Sequence, residues 1–264
     1  MQDFKDFGFP YPKNLIMTYI GGSYAHGAKV GGTDDTDWFG VFVEPPDKAL
    51  GIDHYEHFVT TTGGKVGGNG PADIDVCLYS LRKWAGLAAK GNPSCLHFMF
   101  APRFVDALSQ SSFVHFTWAK LMTQSSDFLA KTHVKPFLGF ANDQMMRLFG
   151  EKGQKNVHRA ALNEEFGYDT KYAMHVVRLY GEAKELMETG KITLPRPNKD
   201  ELIAIRKGKY KLLEIREIGK QLESEALAAS DRSPLPERVD RQKISDLICE
   251  AYREFWNWRE ECPY

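Results

Sequence analysis

The residues in this chain whose types and spacing most directly suggest chemistry are the aspartates of Asp34-Asp35-Thr36-Asp37, set immediately ahead of the apolar run Trp38-Phe39-Gly40-Val41-Phe42-Val43. Side chains alternate along an extended backbone, so Asp35 and Asp37 point the same way and can share divalent cations. Upstream, the apolar run Leu15-Ile16-Met17-Thr18-Tyr19-Ile20 ends in Gly21-Gly22-Ser23. Glycines there let the chain turn tightly and present N–H donors, the arrangement that cradles a phosphate. Downstream, Asp73-Ile74-Asp75-Val76-Cys77-Leu78-Tyr79 offers a third carboxylate on a neighbouring strand. Asp75 is the first candidate, and Asp73, on the same face two residues earlier, is the alternative. Mg2+ (or Mn2+) prefers oxygen ligands, and two such ions about 3.5–4 Å apart stabilise the attacking and leaving oxygens of a phosphoryl displacement. The chemistry these parts suit is nucleotidyl transfer, with the third carboxylate helping to deprotonate an attacking hydroxyl.

The elements that must position these groups follow from periodicity. Leu15 to Ile20 is short, apolar and bounded by glycines, which predicts a buried strand. A short helix is expected over Tyr24 to Ala28, then a strand over Asp37 to Val43 that Pro45-Pro46 ends. Gly63 to Gly70 carries five glycines, the composition of a mobile hairpin tip or lid. A third strand spans Asp73 to Tyr79. Ser80 is the expected N-cap of a helix over Leu81 to Lys90, with Gly91 as its C′ residue and Asn92-Pro93 breaking the chain. Beyond about Val105 the apolar period becomes 3.6. Helices are expected over Phe113 to Leu129, Pro136 to Phe149, Asp169 to Thr189, Asp200 to Leu227 (interrupted near Gly208) and Asp240 to Trp258. The fold class this implies is α+β: a small mixed β-sheet core over residues 1–105, then a helical domain over 106–264 that completes the cleft.

Composition narrows the classes. A chain of 264 residues with 42% hydrophobic and 26% charged residues suits a soluble globular protein of one or two cores. With 34 basic against 35 acidic residues, affinity for nucleic acid must come from a local patch and not from a global field. The start, Met1-Gln-Asp-Phe-Lys-Asp-Phe7, is neither a signal nor a transit peptide, and no apolar run approaches the roughly 20 residues of a membrane helix, so a cytoplasmic location and no membrane partner are expected. Cys77, Cys95, Cys249 and Cys262 show no paired spacing, which suits reduced thiols and disfavours zinc.

The turn Ile20-Gly21-Gly22-Ser23, an eleven-residue spacer and Asp35-Thr36-Asp37-Trp38 resemble the metal motif of the DNA polymerase beta-like nucleotidyltransferase superfamily. Thr36 departs from it, standing where an apolar residue is usual. Later blocks are similar to a branch of nucleotidyltransferases linked to bacterial and phage RNA repair: Tyr79-Ser80-Leu81-Arg82-Lys83-Trp84, Lys90-Gly91-Asn92-Pro93, and Gly167 to His175 with Arg178-Leu179. The resemblance covers Tyr19 to Arg206. It implies a sheet flanked by helices, magnesium dependence, and transfer of a nucleoside monophosphate from an NTP such as ATP to a hydroxyl, with pyrophosphate release. By position it assigns Gly22 and Ser23 to the β/γ phosphates and Asp35, Asp37 and Asp75 to the metals. The resemblance does not name the acceptor; the first hypothesis is RNA, a tRNA end or a repair site. Nucleotidylation of a protein or small molecule, and a non-catalytic nucleotide sensor, are the competing functions, and the oligomeric state is left open.

Other groups have dual readings. Lys171, His175 and Arg178 recur at i, i+4 and i+7, so they line one helix face, suited to a triphosphate or RNA backbone or else simply solvated. Arg82 and Lys83 occupy the first turn of their helix, against the dipole, which hints at an anionic partner. His26 follows the glycine turn and is a phosphate-contact candidate as readily as a turn residue. His54 and His57 are spaced like a metal pair without supporting ligands. Tyr24 and Tyr168 could stack on a base, though core packing is commoner. Ser23 lacks a Gly-x-Ser-x-Gly elbow, which excludes a serine hydrolase, and the glycine turn argues against an Asp-x-Asp glycosyltransferase.

Overall fold

A computed structural model describes residues 3–31, 35–63, 73–101, 112–152 and 164–261, with side chains described through residue 257. Five strands form one mixed sheet: β1 (Leu15–Ile20), β2 (Thr36–Phe42), β3 (His57–Thr61), β4 (Ile74–Ser80) and β5 (Ser112–Val114), in the spatial order β3-β4-β2-β1-β5. β1 runs antiparallel to β2 and β5, β3 runs antiparallel to β4, and β2 and β4 are parallel. The apolar runs that predicted strands therefore lie in the middle of the sheet, where both faces are covered.

The register does the positioning. Asp37 sits directly beside Asp75, Phe39 beside Cys77 and Val41 beside Tyr79 across the parallel β2–β4 pair. Paired residues in a sheet project to the same face, and the period of two puts Asp37, Phe39, Val41 and Asp75, Cys77, Tyr79 together. The opposite face carries Trp38, Phe42, Val76 and Leu78, which bury against Phe4 and Phe9 of the N-terminal segment.

Helices follow the strands, some packed on the sheet and the rest packed on those helices. They are α1 (Gly22–His26), α2 (Pro46–Leu50), α3 (Leu81–Ala88), α4 (Pro93–Phe100), α5 (Phe116–Met122), α6 (Val134–Leu148), α7 (Thr170–Thr189), α8 (Lys199–Arg206), α9 (Leu212–Arg232) and α10 (Arg241–Glu261). The signals read in the sequence act locally as expected. The Ser80 and Asn92 side chains accept from the Lys83 and Cys95 N–H groups, and Asp169 accepts from Lys171 and Tyr172, each satisfying orphan donors of a first turn. Gly91 is left-handed at φ 76° and Gly190 at φ 67°, closing α3 and α7. One core joins sheet and helices: Met17, Tyr19 and Val41 pack with Phe98, Trp118, Leu179 and Phe255. The architecture is α+β.

Two elements differ from their sequence patterns: β3 (His57–Thr61) pairs with β4 inside the stretch from Asp53 to Pro71 that reads as loop in the sequence, and β5 takes the start of an expected helix. A single helix was expected over Phe113 to Leu129, but Ser112–Val114 pairs with β1 and the helix begins at Phe116. A free edge on β1 satisfies backbone groups that a longer helix would leave to itself, so tertiary pairing overrides the local period. The domain boundary near residue 105, most of the glycine tract (64–70), Asp34 and Cys262 lie outside the described residues.

Candidate active site

The glycine turn and the carboxylates meet. The Gly21 N–H donates to the Asp37 carbonyl at 2.8 Å, tying the end of β1 to the start of β2. Gly22 is left-handed at φ 54°, and a Cβ on it would fall 1.8 Å from Asp37 Oδ2. Only glycine permits both that backbone and that approach. Ser23 follows in the first turn of α1, so the turn lies directly over the carboxylate end of β2.

Asp35, Asp37 and Asp75 converge: one carboxylate oxygen from each lies within 4.8 Å of the others, and all three are half-buried. Asp73 does not join them; Thr62 Oγ1 donates to its Oδ1 at 3.4 Å, and its carbonyl accepts from the Thr36 N–H. A set made only of hard oxygen donors at this spacing suits Mg2+ or Mn2+ and not zinc. A cleft of about 750 Å³ opens beside them, lined by Asp37, Phe39, Val59, Thr61, Asp75 and Cys77. That is the size of a nucleoside- or nucleotide-sized site. Burial pushes the Cys77 thiol above its ordinary range, so it is protonated near neutral pH and is a poor nucleophile there.

The cationic face of α7 is less uniform than its spacing suggested. Lys171 and His175 are half-buried, while Arg178 is buried. Its Nη1 donates to both oxygens of Glu182 at 3.0 and 2.9 Å, and its Nη2 lies 3.4 Å from His175 Nδ1. A solvated helix face does not describe it. Glu182 is a residue that sequence reading missed; its i, i+4 spacing from Arg178 was the available signal.

Most of the remaining candidates have partners within the chain. Glu56 lies 3.4 Å from Arg82 Nη2 and 3.5 Å from Lys83 Nζ, an anion from within the chain. His57 stacks on Tyr79 with ring centroids 4.5 Å apart, and His54 Nδ1 contacts the Lys48 carbonyl, so the two do not form a metal pair. His26 is buried against Glu182, not turned toward the cleft. The Tyr168 hydroxyl donates to the Tyr210 carbonyl from a buried position, whereas Tyr24 is half exposed. Cys77 is partly covered, Cys95 buried and Cys249 exposed, all as free thiols. Among the described residues no helix is long and apolar enough to cross a membrane.

Comparison with known proteins adds an independent line. The model of the RNA repair pathway DNA polymerase beta family (RlaP) matches residues 2–248. An uncharacterised 38.9 kDa protein from the nrdC–mobD intergenic region of Enterobacteria phage T4 is 29% identical over 143 residues. The match takes in 54% of this chain and spans only 40% of the length of that relative. Among solved structures, a nucleotidyltransferase-like protein from Exiguobacterium sibiricum is similar at a TM-score of 0.28 and 9% identity, over 96% of this chain and 75% of that one.

Proposed function

The chain belongs to the RNA repair pathway DNA polymerase beta family and is a nucleotidyltransferase, and on that premise we propose that it moves a nucleoside monophosphate from an NTP to a hydroxyl at an RNA end. The observation that carries this reading is the meeting of three carboxylates within 4.8 Å beside a turn that only glycine can make. Asp35, Asp37 and Asp75 would hold Mg2+ or Mn2+, which would offset the charge of the triphosphate and of the developing oxyanions. Gly22 and Ser23 orient the β and γ phosphates through backbone donors, as oriented N–H groups at a turn do for anions. Lys171 and His175, half-buried on α7, face the same polyphosphate, with Arg178 behind them.

The acceptor oxygen attacks the α-phosphorus and forms the new phosphodiester bond. The bond between that phosphorus and the bridging oxygen to the β-phosphate breaks, and pyrophosphate leaves with the electron pair. Asp75 takes the hydroxyl proton; it borders the cleft that receives the acceptor. Alignment of the attacking and leaving oxygens is the main contribution such a site makes, because little covalent chemistry falls to the protein.

The test supplies each NTP, labelled at the α-phosphate or in a parallel reaction at the γ-phosphate, with Mg2+ or Mn2+, to the protein together with total RNA and a cleared lysate. Label from the α-phosphate is expected in RNA, while label from the γ-phosphate is expected in pyrophosphate. Asp35→Asn combined with Asp37→Asn is expected to bring incorporation to background and leave the melting temperature unchanged. Label in protein or a small molecule moves the acceptor class, and tight NTP binding without incorporation marks a sensor.

A further inference from the structure

A second cluster of ionisable groups lies outside the carboxylate site and has no part in the chemistry above. Glu182 of α7 is fully buried. Its Oε2 lies 3.0 Å from His97 Nε2 of α4, its Oε1 lies 3.4 Å from His26 Nδ1 of α1, and both oxygens accept from Arg178. The two imidazoles meet edge to face with centroids 4.9 Å apart. Three buried groups from three helices thus close on the Glu182 carboxylate. Isolated charges are expensive to bury, so Glu182 depends on Arg178 and His97, while His26 packs against the His97 ring and the carboxylate without a hydrogen bond from its Nδ1.

The position of this cluster gives it a consequence. His26 is the last residue of α1, and Gly22 at the other end of that five-residue helix is the residue pressed against Asp37. The Arg196 N–H donates to the His26 carbonyl at 3.1 Å, and a Cβ on Gly27 would fall 2.9 Å from Pro195, so the helix is fixed from that side too. A helix this short has little stability of its own. Arg178 carries the same carboxylate to His175 through its Nη2, 3.4 Å from Nδ1.

We propose that Glu182 is a positioning residue for nucleotide binding: its buried carboxylate locks the glycine-turn helix, through His26, and the Arg178–His175 face of α7 into one rigid unit over the triphosphate. The functional half of this statement rests on the proposed nucleotidyl transfer; the clamp itself does not. His26, His97 and Glu182 each offer a ligand atom within 4.8 Å of the others, a spacing that also suits a metal. Arg178 argues against that. Its guanidinium already neutralises Glu182, and a divalent cation would add net positive charge to a dry site beside it.

The test compares Glu182→Gln, which keeps shape and removes charge, with His26→Asn, which leaves the Glu182–Arg178 pair closed. Tyr180→Phe serves as a control on the same helix; its hydroxyl donates to Asn142 and touches none of the four groups. Amide exchange over residues 22–28 is expected to accelerate in both test variants and not in the control. Well below the melting temperature, kcat/KM for NTP is expected to fall by about 10²-fold in Glu182→Gln, the scale of a 1 Å misplacement, with KM for the acceptor unchanged. His26→Asn is expected to produce a smaller loss that does not add to it. If Glu182→Gln does not fold, His26→Asn carries both measurements. Unchanged exchange in 22–28, or kinetic losses no larger than in Tyr180→Phe, overturns the proposal while leaving nucleotidyl transfer standing. One equivalent of zinc in the native protein, lost in Glu182→Gln, overturns it as well. Accelerated exchange in a protein that transfers no nucleotide condemns the proposed function and keeps the clamp.

Discussion

At the scale of single residues the account turns on a few close approaches. Gly22→Ala places a Cβ within 1.8 Å of Asp37 Oδ2 and asks alanine to hold φ 54°. The Asp37 carboxylate must move, and transfer is expected to fall by at least about 10²-fold with little loss of folded protein; steady-state incorporation and circular dichroism check this. A Gly22→Ala protein as active as wild type would mean that the turn does not abut the reacting groups. The aspartates and the glycines were legible in the sequence because strand alternation and turn chemistry act over a few residues. The choice of Asp75 over Asp73 was not, because it depends on the register of β4 against β2, and only pairing in space fixes which aspartate stands beside Asp37. Glu182 was illegible for a stronger reason. Its partners His26 and His97 lie 156 and 85 positions away, from 182 − 26 and 182 − 97, and neither carries a local signal for the contact.

At the scale of elements, β1, β2, β4 and most helices follow from caps, glycines and periodicity, whereas β3, in a stretch that reads as loop, and β5 do not. The three residues of β5 carry too little pattern to announce a strand, and the free edge of β1 decides their conformation. The C-terminal helix α10 was legible as an amphipathic stripe, and Ile244, Ile248, Ala251 and Phe255 are indeed buried. Its seat was not legible. Tyr252 donates its hydroxyl to the buried carboxylate of Glu44, just past β2, and Trp256 Nε1 donates to the Glu44 carbonyl at 3.0 Å. These bonds key α10 to the sheet. Tyr252→Phe removes a donor from a buried carboxylate and is expected to destabilise the fold by about 1–3 kcal/mol. Urea unfolding should show this as a lower midpoint at unchanged slope; an unchanged midpoint would show that α10 is held by apolar packing alone.

At the scale of the whole molecule, the buried histidines couple the fold to pH. Burial first, then the Arg178 guanidinium, holds His26 well below its ordinary value of 6.5, and burial likewise lowers His133. A depressed histidine binds its proton more readily unfolded than folded. Its stabilisation is therefore complete above pH 6.5 and is lost as pH falls toward the folded value. Burial works to raise the Glu182 carboxyl, but Arg178 and His97 together bring it well below 4.5, so it adds a further loss below that pH. Glu44, raised by burial, acts in the opposite sense above 4.5. Two histidines outweigh one carboxyl, so the melting temperature is expected to decline from pH 7 to pH 5, and His26→Asn is expected to flatten part of that slope. A melting temperature level across the range would contradict the buried placement of the histidines.

The direct measurement of the central claim is anomalous diffraction from crystals grown with Mn2+ and a non-hydrolysable NTP. The account predicts manganese peaks coordinated by Asp35, Asp37 and Asp75, with the triphosphate passing beneath Gly22 and Ser23. Manganese or triphosphate bound elsewhere, with these three carboxylates left out of both, would contradict it.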